Sequence, residues 1–516
     1  MTTVRNLAAM TLLLAAGLIG CVVNPVTGER ELALVSAEDE VAIGRAQYSP
    51  SRQMQGGDYV VDPELARYVS DVGQRLAAVS DRDLPYEFAV LNNSVPNAWA
   101  LPGGKIAINR GLLVELDSEA ELAAVLGHEI VHAAARHGAQ AMQRGILLQG
   151  ALLATAVATQ GGNYSGLAVG AAGLGAQLIN QRHGREAELE SDFFGMQYMA
   201  RAGYDPQAAV SLQQTFVRLS EGQASQSWLA GLFASHPPSA ERVATNRETA
   251  AQLNRTGETG RERYQSAIAG VITSKPAYEA YDNGRRALTE NRHQEAERFA
   301  NEALRLLPAE AQFHALLGDI EAAQGRDQAA ITHYANALSR NDAFFYYSLQ
   351  KGLAHQRLSQ WDSAASELEA SVALLPTADA HLGLGQLAER RGDLAQALSH
   401  YRQAAASGSQ AGQLAQDAVV RLDLPANPQA YLALRTGLDA AGRLALEVSN
   451  PTRLAVTDIS ILVRYVDAQG AVQAQRFRPE GSLAANASSR FSTGLGPFPS
   501  EQSYEVTIES ARAVTN

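Results

Sequence analysis

The stretch "LGHEIVHAAARH" (residues 126–137) places His128, Glu129 and His132 inside an alanine-rich, helix-favouring run. On an α-helix, residues four apart are rotated by roughly 40° and lie one turn along. The rings of His128 and His132 can therefore address one ion. Zinc in a catalytic site takes three protein ligands and keeps one position for water, whose pKa it lowers toward 7. Glu129 sits beside the first histidine, where it can accept a proton from that water. His-Glu-x-x-His is a helix-borne metalloprotease signal. The competing reading is three solvated polar residues that share a helix, but histidine is scarce here, 11 of 516 residues.

A third ligand is needed. The spacing His-x-x-Gly-x-x-His after the first pair is absent, because Ala133, Ala134 and Ala135 follow His132 and the next histidine is His137. On a continuous helix His137 falls about 140° around from His132, which predicts a structural role. A carboxylate on a second helix is the alternative. "EAELESDFFG" (186–195) offers Glu188 and Asp192, four apart on one face. Glu188 could bind zinc, and Asp192 could hydrogen-bond the outer nitrogen of a ligand histidine and fix its tautomer. Glu186 and Glu190 compete for the ligand role.

The elements around these residues follow from pattern. Ser118 is a good N-cap for the zinc-motif helix, and Glu121 completes a predicted capping box. "YEFAVLN" and "KIAIN" within 84–113 alternate as half-buried strands do, with Pro102-Gly103-Gly104 as the turn before the second. Residues 36–79 and 185–206 read as helical, the latter ended by Gly203 and Pro206. Residues 146–180 are rich in Ala, Leu and Gly and nearly uncharged. Gln149, Gln160 and Gly161-Gly162-Asn163 interrupt them, so two small packed helices or a mobile flap are expected rather than a membrane hairpin.

From about residue 275 a repeat sets in. Gly284, Gly318 and Gly352 are spaced by 34, with Gly385 one short, and Ala296, Ala330, Ala364 and Ala397 keep the same step. That period, with small residues where helices cross, resembles the tetratricopeptide repeat and implies a solenoid with a concave binding face. "GRLALEVSNPTRLAVTDISILVRYVDAQGAVQAQRF" (442–477) alternates strictly and reads as a small antiparallel sandwich or sheet.

At 516 residues the chain is expected to hold about three domains. A net charge of −12 removes the basic footprint of a nucleic-acid binder. The single cysteine, Cys21, excludes an intramolecular disulfide. It follows an apolar stretch, Leu7 to Ile19, with the length of a signal-peptide core. "LIGC" (18–21) resembles a bacterial lipoprotein signal, which implies lipidation at Cys21 and a membrane-tethered periplasmic protein. Val22 after the cysteine favours outer-membrane sorting by the same resemblance.

"NAWALPGGKIAINRGLL" (97–113), "SEAELAAVLGHEIVHAAARH" (118–137), "EAELESD" (186–192) and "SHPPSAERV" (235–243), in this order, resemble the gluzincin peptidases of the HtpX and CAAX prenyl protease type. Lipidation and repeats narrow the resemblance to its BepA-like exported branch. It implies a Glu-x-x-x-Asp motif on Glu188 and Asp192, with Glu188 the third zinc ligand. It implies that His236, otherwise an ordinary loop residue, reaches the zinc, either occupying the open position in a latent state or steadying the oxyanion. Arg242, otherwise a helix-start salt bridge, matches an arginine near the same site. "WALPGGKIAI" becomes an edge strand along which an extended peptide lies.

The expected fold is therefore α+β and multidomain: signal peptide 1–20, tether 21–36, mostly helical gluzincin domain with a small sheet 37–254, α-solenoid 276–410 and antiparallel β domain 427–516. The expected activity is a lipid-anchored periplasmic zinc endopeptidase with one zinc per chain on His128, His132 and Glu188, and Glu129 as general base. Misassembled envelope proteins are the expected substrates. The repeats are expected to recruit a client or the outer-membrane protein assembly machinery. The alternative is a chaperone or adaptor acting through the repeats with a latent zinc site.

Overall fold

The alternating residues of 84–113 form a three-stranded sheet in the computed structural model, which describes residues 20–145, 183–221, 236–467, 469–500 and 503–514. Residues 1–19 of the expected signal segment, the side chain of Cys21 and residues 146–180 lie outside the described residues. Among the described residues no helix is long and apolar enough to cross a membrane. The chain divides into two compact units, one ending at Tyr347 and the other beginning at Ser348.

In the first unit, strands β1 (Gly20–Val23) and β2 (Arg30–Ala33) pair antiparallel. This segment differs from a free tether: Asn24 is buried and donates to the Ala135 carbonyl at 3.1 Å, and Val26 joins the main core. Helices α1 (Ala37–Met54) and α2 (Pro63–Ala77) follow. The sheet has the order β3 (Glu87–Leu91), β5 (Lys105–Asn109), β4 (Ala98–Leu101), with β3 parallel and β4 antiparallel to β5. Gly103 and Gly104 turn β4 into β5 at φ of +76° and +81°, a backbone region that glycine adopts without strain. Every residue of β5 is buried, including Lys105, so "KIAIN" is a central strand covered on both faces rather than a half-buried one.

After α3 (Arg110–Leu113) comes α4 (Glu119–Ala134), the helix of the quoted stretch. Ser118 caps it, accepting from the Glu121 amide at 3.2 Å. The expected capping box is not closed: the Glu121 carboxylate accepts from the Asp117 amide at 2.7 Å instead. Helices α5 (Arg185–Arg201), α6 (Gln207–Glu221) and α7 (Ala240–Leu253) complete the bundle.

A single helix, α8 (Arg261–Thr289), crosses the boundary expected between 254 and 276. Its first half buries Tyr264, Ile268 and Val271 in the main core of the first unit. Its second half opens the repeats, pairing with α9 (His293–Leu306); α10 (Ala311–Ala323) and α11 (Asp327–Leu338) form the next hairpin. The small residues of the repeat sit where predicted. Ala296 and Ala330 are fully buried, and a Cβ on Gly318 would meet the Tyr334 ring at 2.6 Å. The first repeats are fixed to the sheet by buried polar contacts: Asn92 donates to Glu310 at 3.0 Å, and Gln312 donates to the Asn92 carbonyl at 3.0 Å.

After α12 (Phe345–Arg357), the second unit continues the pattern with α13 (Trp361–Leu374), α14 (Ala378–Arg390), α15 (Leu394–Ala405) and α16 (Gln410–Asp423). Ala364 and Ala397 are again fully buried. Two antiparallel three-stranded sheets follow: β6 (Ala433–Leu438), β7 (Leu444–Asn450) and β10 (Ala487–Ser492) in one, β8 (Val456–Val466), β9 (Val472–Phe477) and β11 (Tyr504–Ala513) in the other. Leu444, Leu446 and Val448 of one sheet share a core with Ile461, Val463 and Ile508 of the other, which makes a sandwich.

Candidate metal centre

Helices α4 and α5 cross at two glycines. A Cβ on Gly195 would lie 3.1 Å from Gly127 C and His128 N, and one on Gly127 would lie 3.2 Å from the Gly195 carbonyl oxygen. With hydrogen in place of a side chain on both, the backbones approach closely. That brings Glu188, two turns earlier on α5, opposite the paired histidines of α4.

The Nε2 atoms of His128 and His132 are 3.0 Å apart. Glu188 places one carboxylate oxygen 3.5 Å from His128 Nε2 and the other 3.5 Å from His132 Nε2. His236 adds Nδ1, at 3.3 Å from His128 Nε2 and 3.1 Å from Glu188 Oε1. One donor atom from each of these four buried residues lies within 4.8 Å of all the others. Tetrahedral zinc with donors at about 2.0–2.2 Å spaces them about 3.4 Å apart, close to the 3.0 Å between the two histidine nitrogens and to the 3.5 Å from each of them to a Glu188 oxygen.

The electrostatics agree with that fit. His128 Nδ1 lies 2.9 Å from Asp192 Oδ1. Burial raises the Asp192 carboxyl, but the Arg242 guanidinium outweighs it and holds Asp192 below its ordinary range. Asp192 is therefore an acceptor, His128 donates from Nδ1, and its Nε2 turns a lone pair toward the other donors. Burial likewise works against ionised Glu188, yet His236, His128 and His132 hold its carboxyl far below the usual carboxylate range. Burial, and next the neighbouring His183, push His132 well below its usual value, giving the neutral imidazole that a metal ligand needs. For His128 burial opposes charge, but Asp192 and Glu188 prevail and raise it to about 9, so without an ion the two carboxylates keep a proton on the ring where a metal would otherwise supply the positive charge. Lone pairs and a carboxylate converging in a buried pocket call for a cation.

The remaining expected residues surround this cluster. Glu129 is buried with Oε1 3.5 Å from His236 Nε2. Asp192 takes the outer nitrogen of His128, as its spacing from Glu188 suggested. Arg242 forms a two-pronged pair with Asp192, 2.7 Å at each contact, and lies 3.0 Å from Glu188 Oε2. It reaches the site through these carboxylates, which it orients. Of the competing carboxylates, Glu186 is exposed, and Glu190 lies 3.3 Å from His137 Nε2.

His137 lies outside the donor group but not where a continuous helix would put it. Helix α4 ends at Ala134 and Arg136 takes a left-handed φ of 66°, so the 140° rotation computed for a continuous helix does not apply. The turn carries His137 back to place Nδ1 2.8 Å from Nδ1 of His132. His183 was missed; its ring centroid is 4.0 Å from that of His132. No local pattern marked it.

Comparison with known proteins agrees with this geometry. Residues 63–250 match peptidase family M48, and residues 281–344 and 349–412 match the tetratricopeptide repeat. The chain is 27% identical over 352 residues to a beta-barrel assembly-enhancing protease of Yersinia pestis, covering 62% of this chain and 70% of that one. The like-named protein of Escherichia coli (strain K12) is 28% identical over 333 residues, covering 56% and 67%. The mitochondrial metalloendopeptidase OMA1 of Schizosaccharomyces pombe is 37% identical over 180 residues, 34% of this chain and 50% of that protein.

Proposed function

We propose that the chain, whose residues 63–250 match peptidase family M48 and are followed by matches to the tetratricopeptide repeat, is a zinc endopeptidase whose ion is held by His128, His132 and Glu188. The observation that carries this is the convergence of the His128 and His132 Nε2 atoms, 3.0 Å apart, on the Glu188 carboxylate, a different oxygen of which lies 3.5 Å from each. When bound, zinc polarises the scissile carbonyl and acidifies water. Glu129 takes the proton from the attacking water and returns it to the leaving amine. Asp192 fixes the His128 tautomer, and Arg242 holds Asp192 and Glu188 in place. The strand β4, at the edge of its sheet, offers backbone groups along which an extended peptide can pair.

The setting belongs to the same proposal. Cys21 carries the lipid, the protein is exported and tethered to the outer membrane, and its substrates are misassembled envelope proteins. The repeats recruit client or assembly machinery. Support comes from the signal-like N-terminus, the repeats and the names of the Yersinia and Escherichia relatives. A second reading, an adaptor with a latent centre, is favoured by His236, whose Nδ1 lies among the donors. A closed donor set is the mark of a structural or resting site.

Metal analysis and casein cleavage by the intact protein, Glu129→Gln and His236→Ala test both. Stoichiometric zinc, cleavage abolished by Glu129→Gln and increased by His236→Ala are expected. Absence of zinc removes the peptidase reading. Full rescue of a deletion phenotype by zinc-bound Glu129→Gln establishes the adaptor.

A further inference from the structure

Beside the donor cluster a narrow cleft opens between α4, α5, α6 and α7, with His128 and Glu129 in its lining. Val125, Met196, Met199, Leu212 and Phe216 give it apolar walls. Two amide side chains interrupt them. Asn246 is 1% exposed and neither its Oδ1 nor its Nδ2 has a hydrogen-bond partner; Gln213 is 4% exposed and its Oε1 has none. Buried polar groups in folded proteins are almost always paired, and leaving three such atoms bare costs stability unless something else completes them. The zinc chemistry proposed above makes no use of either residue.

We propose that this cleft is the subsite that receives a substrate side chain next to the scissile bond, and that it selects tyrosine; this rests on the peptidase reading. The missing partner must donate to an amide oxygen and accept from Asn246 Nδ2, which a hydroxyl does with one atom. Its tip must be neutral. A carboxylate would face Asn246 Oδ1, Gln213 Oε1 and the Glu129 carboxylate. An ammonium has nothing to accept from Nδ2. Arg242 and Asp192, also in the lining, are paired with each other and leave no charge for a substrate to match. Its body must be apolar and broad, since methionine sulfurs and a phenyl ring favour an aromatic neighbour. Serine and threonine carry the hydroxyl but bury almost no apolar surface. Tyrosine meets all three demands.

The test compares matched peptides with tyrosine or phenylalanine at the position flanking the cleaved bond, using the full-length zinc-loaded protein. Tyrosine is expected to raise kcat/KM at least about tenfold, because a site built to bond a hydroxyl rejects the analogue that lacks it. Asn246→Leu combined with Gln213→Met should erase or reverse that preference with zinc content unchanged. Affinity of the same peptides for Glu129→Gln protein, read by fluorescence anisotropy, gives a measurement that needs no hydrolysis. Failure of wild-type protein to cleave anything removes the peptidase reading. Equal affinities of the two peptides, no binding of either, or a tyrosine preference that survives the double substitution each overturns the subsite and leaves trapped water as the partner of the amides.

Discussion

Asp192→Asn isolates the contribution of the residues behind the metal ligands. Asp192 accepts from His128 Nδ1 at 2.9 Å and from Arg242 through two contacts of 2.7 Å. Asparagine keeps the shape and one acceptor oxygen but loses the charge and presents an NH2 to one of its two partners. His128 is then free to take the wrong tautomer, and Arg242 keeps only Glu188 as a charged partner, at 3.0 Å. Losing an outer partner of a metal-bound histidine typically weakens binding ten- to a hundredfold, about 1.4–2.8 kcal/mol. Breaking a buried ion pair costs roughly 3–5 kcal/mol, and the retained amide oxygen and Glu188 put this case at or below the low end. Zinc affinity measured by competition with a chromophoric chelator, with a thermal melt of the metal-free protein alongside, separates the two effects. A variant that binds zinc within about twofold of wild type, while His128→Ala does not bind it, refutes the orienting role assigned to Asp192.

Two further perturbations probe the frame and a distant half-buried carboxyl. Gly195→Ala puts a Cβ 3.1 Å from backbone atoms of α4. Separating the helices should cost about 1–3 kcal/mol and lower zinc affinity more than Gly145→Ala, where nothing lies within 4 Å of the added Cβ; equal affinity of the two variants would show that the crossing does not set the donor spacing. In the repeats, burial raises the Asp319 carboxyl to about 6 despite hydrogen bonds from Tyr334 and Tyr346. Its folded pKa exceeds the unfolded one, so its stabilising contribution is complete below the unfolded value and is lost as pH rises through about 6. Asp319→Asn should therefore stabilise the protein by about 1–3 kcal/mol at pH 7.5 and by much less at pH 4.5 in denaturant melts; an equal effect at both pH values would count against a half-buried ionised carboxylate.

The residues legible in the sequence are those whose relations are local. His128, Glu129 and His132 are fixed with respect to one another by helix geometry, because backbone hydrogen bonds four residues apart hold that spacing wherever the helix lies. The 34-residue step of small residues announced the helical hairpins for the same reason, since each glycine and alanine marks a crossing within one repeat. Glu188 stood level with Glu186 and Glu190 on spacing alone; family resemblance, and then the close crossing at Gly127 and Gly195, separated it from them.

What tertiary structure alone decided depends on where chains meet and where helices stop. His137 turned from a bystander into a neighbour of His132 because α4 ends three residues before it and Arg136 reverses the chain. Arg242 became an orienting residue because α7 carries it onto two carboxylates of α5. Gln213 and Asn246 look like ordinary amphipathic-helix polars in sequence, and only the packing of α6 and α7 around one cleft buries their amides without partners. A one-dimensional pattern encodes periodicity, which is enough to nominate a zinc motif. It does not encode the distances between separate helices, and those distances determine which carboxylate joins the histidines and what kind of side chain the neighbouring cleft can hold.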